Sequence, residues 1–106
     1  MSRGLGKNQR LIIDTFKNSN RKEVEAMTIF YLVLGLINSF DEWVKIDKLD
    51  ENKENIKKNN LSRYKSVLKS IKSLEKRDYL IKEYKIVKFD DFNDKKILKV
   101  KYVEKN

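Results

Sequence analysis

The sequence contains no cysteine, no histidine and no proline. Without cysteine there is no disulfide, no thiol nucleophile and no thiolate metal ligand. Without histidine, imidazole base catalysis, zinc fingers and His-ligated haem are excluded. Glycine occurs only three times, which with the missing proline excludes collagen-like and flexible-linker readings. No long apolar run is present either. The longest, 26–37, is broken by Thr28 and Gly35. It falls well short of the roughly 20 residues of a membrane span and reads as a buried helix. The opening Met1-Ser2-Arg3-Gly4-Leu5-Gly6-Lys7 leads into no apolar stretch, so no signal peptide is expected and the cytoplasm, including a nucleoid, viral or plasmid setting, is the expected compartment.

What the sequence has in excess is charge, at 39 % of 106 residues against the roughly 25 % of ordinary domains. Lysine and arginine number 25 and aspartate and glutamate 16, a net charge of +9. The length suits one domain with a modest core. A small basic chain without a catalytic set is expected to bind rather than to catalyse, and neither cofactor, metal nor small-molecule ligand is implied.

Helical spacing of Leu5, Ile12, Ile13 and Phe16 predicts an amphipathic helix over Lys7–Asn18, ended by Asn18-Ser19-Asn20. A second helix is expected over 21–40, apolar on nearly every side. It serves either as the central core helix or, through Ile29, Phe30, Val33, Leu36 and Ile37, as a homodimer interface. Trp43-Val44-Lys45-Ile46 reads as a short extended piece, with Asp47 capping an acidic helix to about residue 55. Asn59-Asn60 marks a turn. Leu61, Tyr64, Val67, Leu68, Ile71 and Leu74 then define one face of a helix over 61–77. From 57 to 77 eight basic residues face the single acid Glu75, a local charge of +7 that holds most of the excess. Two strand-like runs, 79–89 and 95–103, flank a turn-forming cluster at 90–94 and predict a hairpin.

The stretch from Leu61 to Ile81 resembles the winged helix-turn-helix DNA-binding family. Leu74-Glu75-Lys76-Arg77 and Leu80-Ile81 match the end of that family's recognition helix and its entry into the wing, while Asp78-Tyr79 stands where the family prefers one glycine. The opening Gly4-Leu5-Gly6-Lys7-Asn8-Gln9-Arg10 is similar to the start of some archaeal winged-helix proteins. The resemblance covers about residues 43–103 and implies an α+β winged helix with an extra N-terminal helix and a C-terminal hairpin wing. It further implies a small regulator of transcription on double-stranded DNA.

The residues themselves point the same way. Ser62, Lys65, Ser66, Lys69 and Ser73 lie opposite the apolar face, with Arg63 beside them, and short hydroxyls and long cations suit base edges and phosphates. Lys88, Lys95 and Lys96 flank the expected wing tip. Arg3, Lys7 and Arg10 read as a solvated terminus before a DNA-contacting arm. Asp47, Asp50, Glu51 and Glu54 would share a helical face, for which helix-start charge preference is a better account than a cation. Asp90, Asp91, Asn93 and Asp94 are turn residues. Two other readings stay open: a winged-helix module for protein–protein contacts, and an RNA-binding or plasmid-replication accessory protein. The latter would need exposed sheet aromatics, whereas Tyr79, Tyr84, Phe89 and Tyr102 are expected to pack on the helices.

Overall fold

The structure, a computed structural model, describes residues 5–88 and 94–104, and for 87, 88, 94 and 95 the backbone alone. Along the chain run α1 (Lys7–Asn18), β1 (Glu23–Glu25), α2 (Ala26–Val33), α3 (Trp43–Asp50), α4 (Lys53–Asn59), α5 (Leu61–Lys76), β2 (Leu80–Lys88) and β3 (Asp94–Tyr102). The architecture among the described residues is α+β, five helices on a three-stranded antiparallel sheet of order β1-β3-β2. None of these helices is long and apolar enough to cross a membrane.

In α1 the spacing of Ile12, Ile13 and Phe16 does what periodicity requires, and all three are buried. The Lys22 ammonium donates to the Phe16 carbonyl at 2.6 Å, which also accepts the Ser19 N–H at 3.4 Å, closing the helix end. Residues 21–25 are not helical, as 21–40 was read to be. Glu23, Val24 and Glu25 lie opposite Lys101, Val100 and Lys99, so opposite charges flank a buried valine pair, and strand pairing outweighs helix propensity.

Helix α2 also stops early. Gly35 sits at φ 80°, its N–H donates to the Leu32 carbonyl at 3.0 Å, and the Leu36 N–H donates to the Tyr31 carbonyl at 2.9 Å. This is a Schellman closure, which a left-handed residue makes possible. A Cβ at Gly35 would meet nothing within 4 Å. Gly35→Ala therefore tests backbone strain alone and should cost about 1 kcal/mol, lowering the urea midpoint at unchanged slope.

The dimer surface expected on this helix is corrected by its burial. Ile29, Phe30 and Ile37 are wholly inside the protomer, and Val33 and Leu36 are half-buried against the same core. A helix apolar on most sides finds its cover here in α1, α5 and the sheet.

Trp43 opens a helix rather than a strand. Three aromatic or β-branched residues among the four suggest a strand, but Ile46 and Leu49 turn inward at a helical interval. The Tyr31 hydroxyl donates to Asp50 Oδ1 at 2.7 Å and ties α3 to α2; burial, then this bond, pushes the phenol far above its ordinary value. The expected acidic helix is interrupted at Glu51-Asn52, so Asp47 and Asp50 lie on α3 while Glu54 lies on α4, and the four carboxylates share no single face.

Before α3, Glu42 Oε2 accepts the backbone N–H of Asn38 at 2.6 Å and of Ser39 at 3.1 Å. These bonds, the Asn38 one first, hold the carboxyl below its ordinary 4.5. The folded state favours the ionised form, so its contribution is present above about pH 4.5 and is lost as pH falls through the lower folded value. Glu42→Gln should accordingly flatten the acid limb of the stability curve, read as urea midpoints at about pH 5 and pH 3.

One apolar cluster joins residues from Ile12 to Tyr102. Phe16 stacks on Tyr102 at 5.5 Å and meets Phe40 at 4.6 Å. The hairpin pairs from Leu80↔Tyr102 to Lys88↔Asp94, and it outruns this core. Leu80, Val100 and Tyr102 are buried, whereas Tyr84 and Ile86, further along the same strand face, are 61 % and 66 % exposed. Tyr102 therefore packs as expected and Tyr79 is half-buried, but Tyr84 is exposed, facing an open cleft rather than packed core. Phe89 and the turn residues 90–93 lie outside the described residues.

Candidate nucleic-acid interface

Helix α5 buries Val67, Ile71 and Leu74 against the core, with Tyr64 and Leu68 half-buried beside them. That anchorage fixes the helix rotation and turns the expected polar face outward. Ser62, Arg63, Lys65, Ser66 and Lys69 are exposed, and Ser73 is half-buried. Arg63 lies on the flank of this face, next to Val67's side. Lys72 and Lys76, absent from the sequence-derived site, are exposed as well. Their signal was present in the spacing: 65, 69, 72 and 76 fall at i, i+4, i+7 and i+11 of one helical stripe.

None of Lys65, Lys69, Lys72 and Lys76 forms an ion pair among the described residues. The lone acid of this segment is occupied elsewhere, since Glu75 meets the Lys82 ammonium of β2 at 3.4 Å. The outward face of α5 is thus positive along its length. Its N-terminal end adds to this. Asn60 precedes the helix without capping it, its side chain donating instead to the Ile56 carbonyl at 3.0 Å, so the partial positive charge of the helix start stays on the side of Ser62 and Lys65. One residue, Asn60, separates α4 from α5, and the two helices form the tight corner expected at Asn59-Asn60.

At the far end of α5, Asp78 takes the place of the expected glycine and adopts φ 64°. Its N–H bonds to the Glu75 carbonyl and that of Tyr79 to the Leu74 carbonyl, at 3.0 and 2.9 Å. Aspartate tolerates this left-handed position better than most residues, so the turn into β2 is made without glycine.

On the wing, Lys96 is exposed and its ammonium lies 4.6 Å from the Tyr84 ring centre. Lys88 and Lys95 stand at the strand ends in register with Asp94 and Val87, and their side chains lie outside the described residues. Arg3 lies outside them too, and Lys7 and Arg10 are exposed on α1.

Sequence reasoning missed a cleft where α4, α5 and the hairpin meet, of about 300 Å³. Tyr64 and Tyr84 line it, and Lys57 lies over the Tyr64 ring at 4.7 Å. Burial, then the neighbouring Tyr84 and Glu54, raises the Tyr64 phenol above its ordinary value. No single segment announces this cleft, because its walls come from six elements. Compared with family models, with curated proteins and with solved structures, the chain gives no match.

Proposed function

We propose that the protein binds double-stranded DNA as a small winged-helix regulator of transcription, with the exposed face of α5 in the major groove. The observation that carries this reading is the stripe of Lys65, Lys69, Lys72 and Lys76, all exposed and none in an ion pair among the described residues. An α-helix fits the major groove, and cations along it neutralise phosphates. Ser62 and Ser66 near the helix start suit base edges, and Arg63 suits a bidentate contact to guanine. The element order supports the winged-helix layout. β1, between α1 and α2, pairs with β3, and the β2–β3 ribbon follows α5 directly in the chain. Lys96, with Lys88 and Lys95 at the strand ends, would then approach a neighbouring phosphate.

Amide spectra of the labelled protein titrated with a duplex test this mapping. Shifts should gather on residues 61–76 and on the wing. Shifts confined to α1 and α3 would contradict it.

A homodimer belongs to the same reading, without the α2 surface. Two-fold pairing predicts a palindromic site with half-sites about one helical turn, or a multiple, apart. Sedimentation at twice the chain mass supports it, and a single chain mass at high concentration removes it. One observation favours the second reading, a protein-interaction module: Trp43 and Val44 are adjacent at the start of α3 and 62 % and 52 % exposed. Exposed tryptophan is a common anchor at interfaces. As Trp43 is the sole tryptophan, a blue shift of its emission on adding a partner reports coverage directly.

A further inference from the structure

The cleft between the wing and the α4–α5 corner brings together three kinds of chemistry. The first is a pair of tyrosine rings. Tyr64 is held from behind by an edge contact with Phe30 at 5.2 Å, and Tyr84 stands outside the core. The Tyr64 hydroxyl has no hydrogen-bond partner among the described residues. The second is cationic. Lys57 and Lys96 rest their ammonium groups on these rings at 4.7 and 4.6 Å, and Lys53 lines the same space. The third is a pair of acceptors, Glu25 and Glu54, which also line it. Leu68 and Leu98 supply apolar wall between them.

We infer that this cleft binds one nucleotide. A volume of about 300 Å³ is at the small end of ligand pockets and suits a base with its sugar phosphate. Tyrosine rings stack on bases, and the lysines that cover them now can turn to a phosphate when a base takes their place. The carboxylates discriminate further. They accept N–H groups of a base edge, whereas an aromatic carboxylate without such donors would meet them as like charges. Inorganic phosphate alone would leave the tyrosines unused. The cleft shares Lys96 with the wing contact of the duplex reading, but Tyr64 lies on a different side of α5 from Lys69, so the stripe lysines tell a ligand in the cleft from a duplex on α5.

The nucleotide can come free in solution or as one unit of a single strand. The test titrates the full chain with AMP, adenosine, inorganic phosphate and a single-stranded oligo-dA hexamer, reading amide shifts. AMP at millimolar concentration should shift Tyr64, Leu68, Tyr84, Lys96 and Leu98 and leave Lys69, Lys72 and Lys76 in place. Adenosine should bind more weakly, and phosphate alone should not reproduce the pattern. Tyr84→Ala, at an exposed position, should weaken AMP about tenfold. Lys96→Gln should weaken AMP and spare adenosine. If the hexamer gives the same shifts at much higher affinity than AMP, the source is a strand; if AMP binds as tightly as the hexamer, it is the free nucleotide. The inference is overturned if neither nucleotide ligand moves the cleft, if phosphate alone moves it equally, or if both variants keep wild-type affinity. Loss of duplex binding with cleft shifts intact would remove only the proposed regulator role.

Discussion

Reversing the charge of Lys65 and Lys69 together is expected to weaken duplex binding by about 100-fold or more, with the thermal unfolding curve nearly unchanged. Both side chains are exposed and neither has an ion pair among the described residues, so no folded-state contact is lost. A glutamate at 69 lies one turn from Lys72, which partly offsets its repulsion with the glutamate at 65. Binding suffers twice, by loss of two phosphate partners and by repulsion of two phosphates. The control is Lys7→Glu with Lys17→Glu on α1, exposed residues that change the net charge equally. If net charge alone drives binding, the two double variants fall together. If α5 lies in the groove, the α1 pair loses only a few-fold. Fluorescence anisotropy at low salt separates these outcomes, and unchanged affinity of the Lys65/Lys69 variant would remove α5 from the interface.

The second large effect is on the fold. Phe30→Ala is expected to cost about 3–5 kcal/mol, because the ring is fully buried and α1, α5 and the sheet hold their positions around the hole. Its edge contact with Tyr64, at 78° between ring planes, is lost as well. Small domains hold about 5–15 kcal/mol in all, so the variant should be largely unfolded at the wild-type midpoint temperature and partly unfolded well below it. The same substitution decides between the two roles that the sequence left open for this helix. At a dimer interface, truncation would halve the sedimenting mass and leave the monomer folded. In a core, it lowers the urea midpoint whatever the protein concentration.

How far the sequence could be read follows from how local each signal is. α5 was legible in full, since sixteen residues carry both an uninterrupted apolar period and its charged complement. The hairpin was legible from two strand-like runs about a polar turn. α2 was misread because its limits are set from outside its own period. β1 exists only through β3, and the clue was a complementarity across the chain, Glu-Val-Glu at 23–25 against Lys-Val-Lys at 99–101. Gly35 is visible as a break, but Leu36, Ile37 and Phe40 beyond it carry the apolar pattern on and mask the left-handed closure it makes. Trp43 to Ile46 is too short for either period to decide, and Asp50's bond to Tyr31 settles it in space. In the site, Ser62, Lys65, Ser66 and Lys69 were read from phase alone. The cleft was not, since Tyr64 and Tyr84 are twenty positions apart and only the wing's overshoot brings them to one wall.

The most direct test of the central claim is wild-type binding to a labelled random-sequence duplex, followed by anisotropy across salt. Four stripe lysines on phosphates predict a slope of log affinity against log salt of about −4, and so a loss of about 100-fold between about 50 and 200 mM salt. Absence of binding at the lowest salt, or an affinity that does not change across this range, would contradict it.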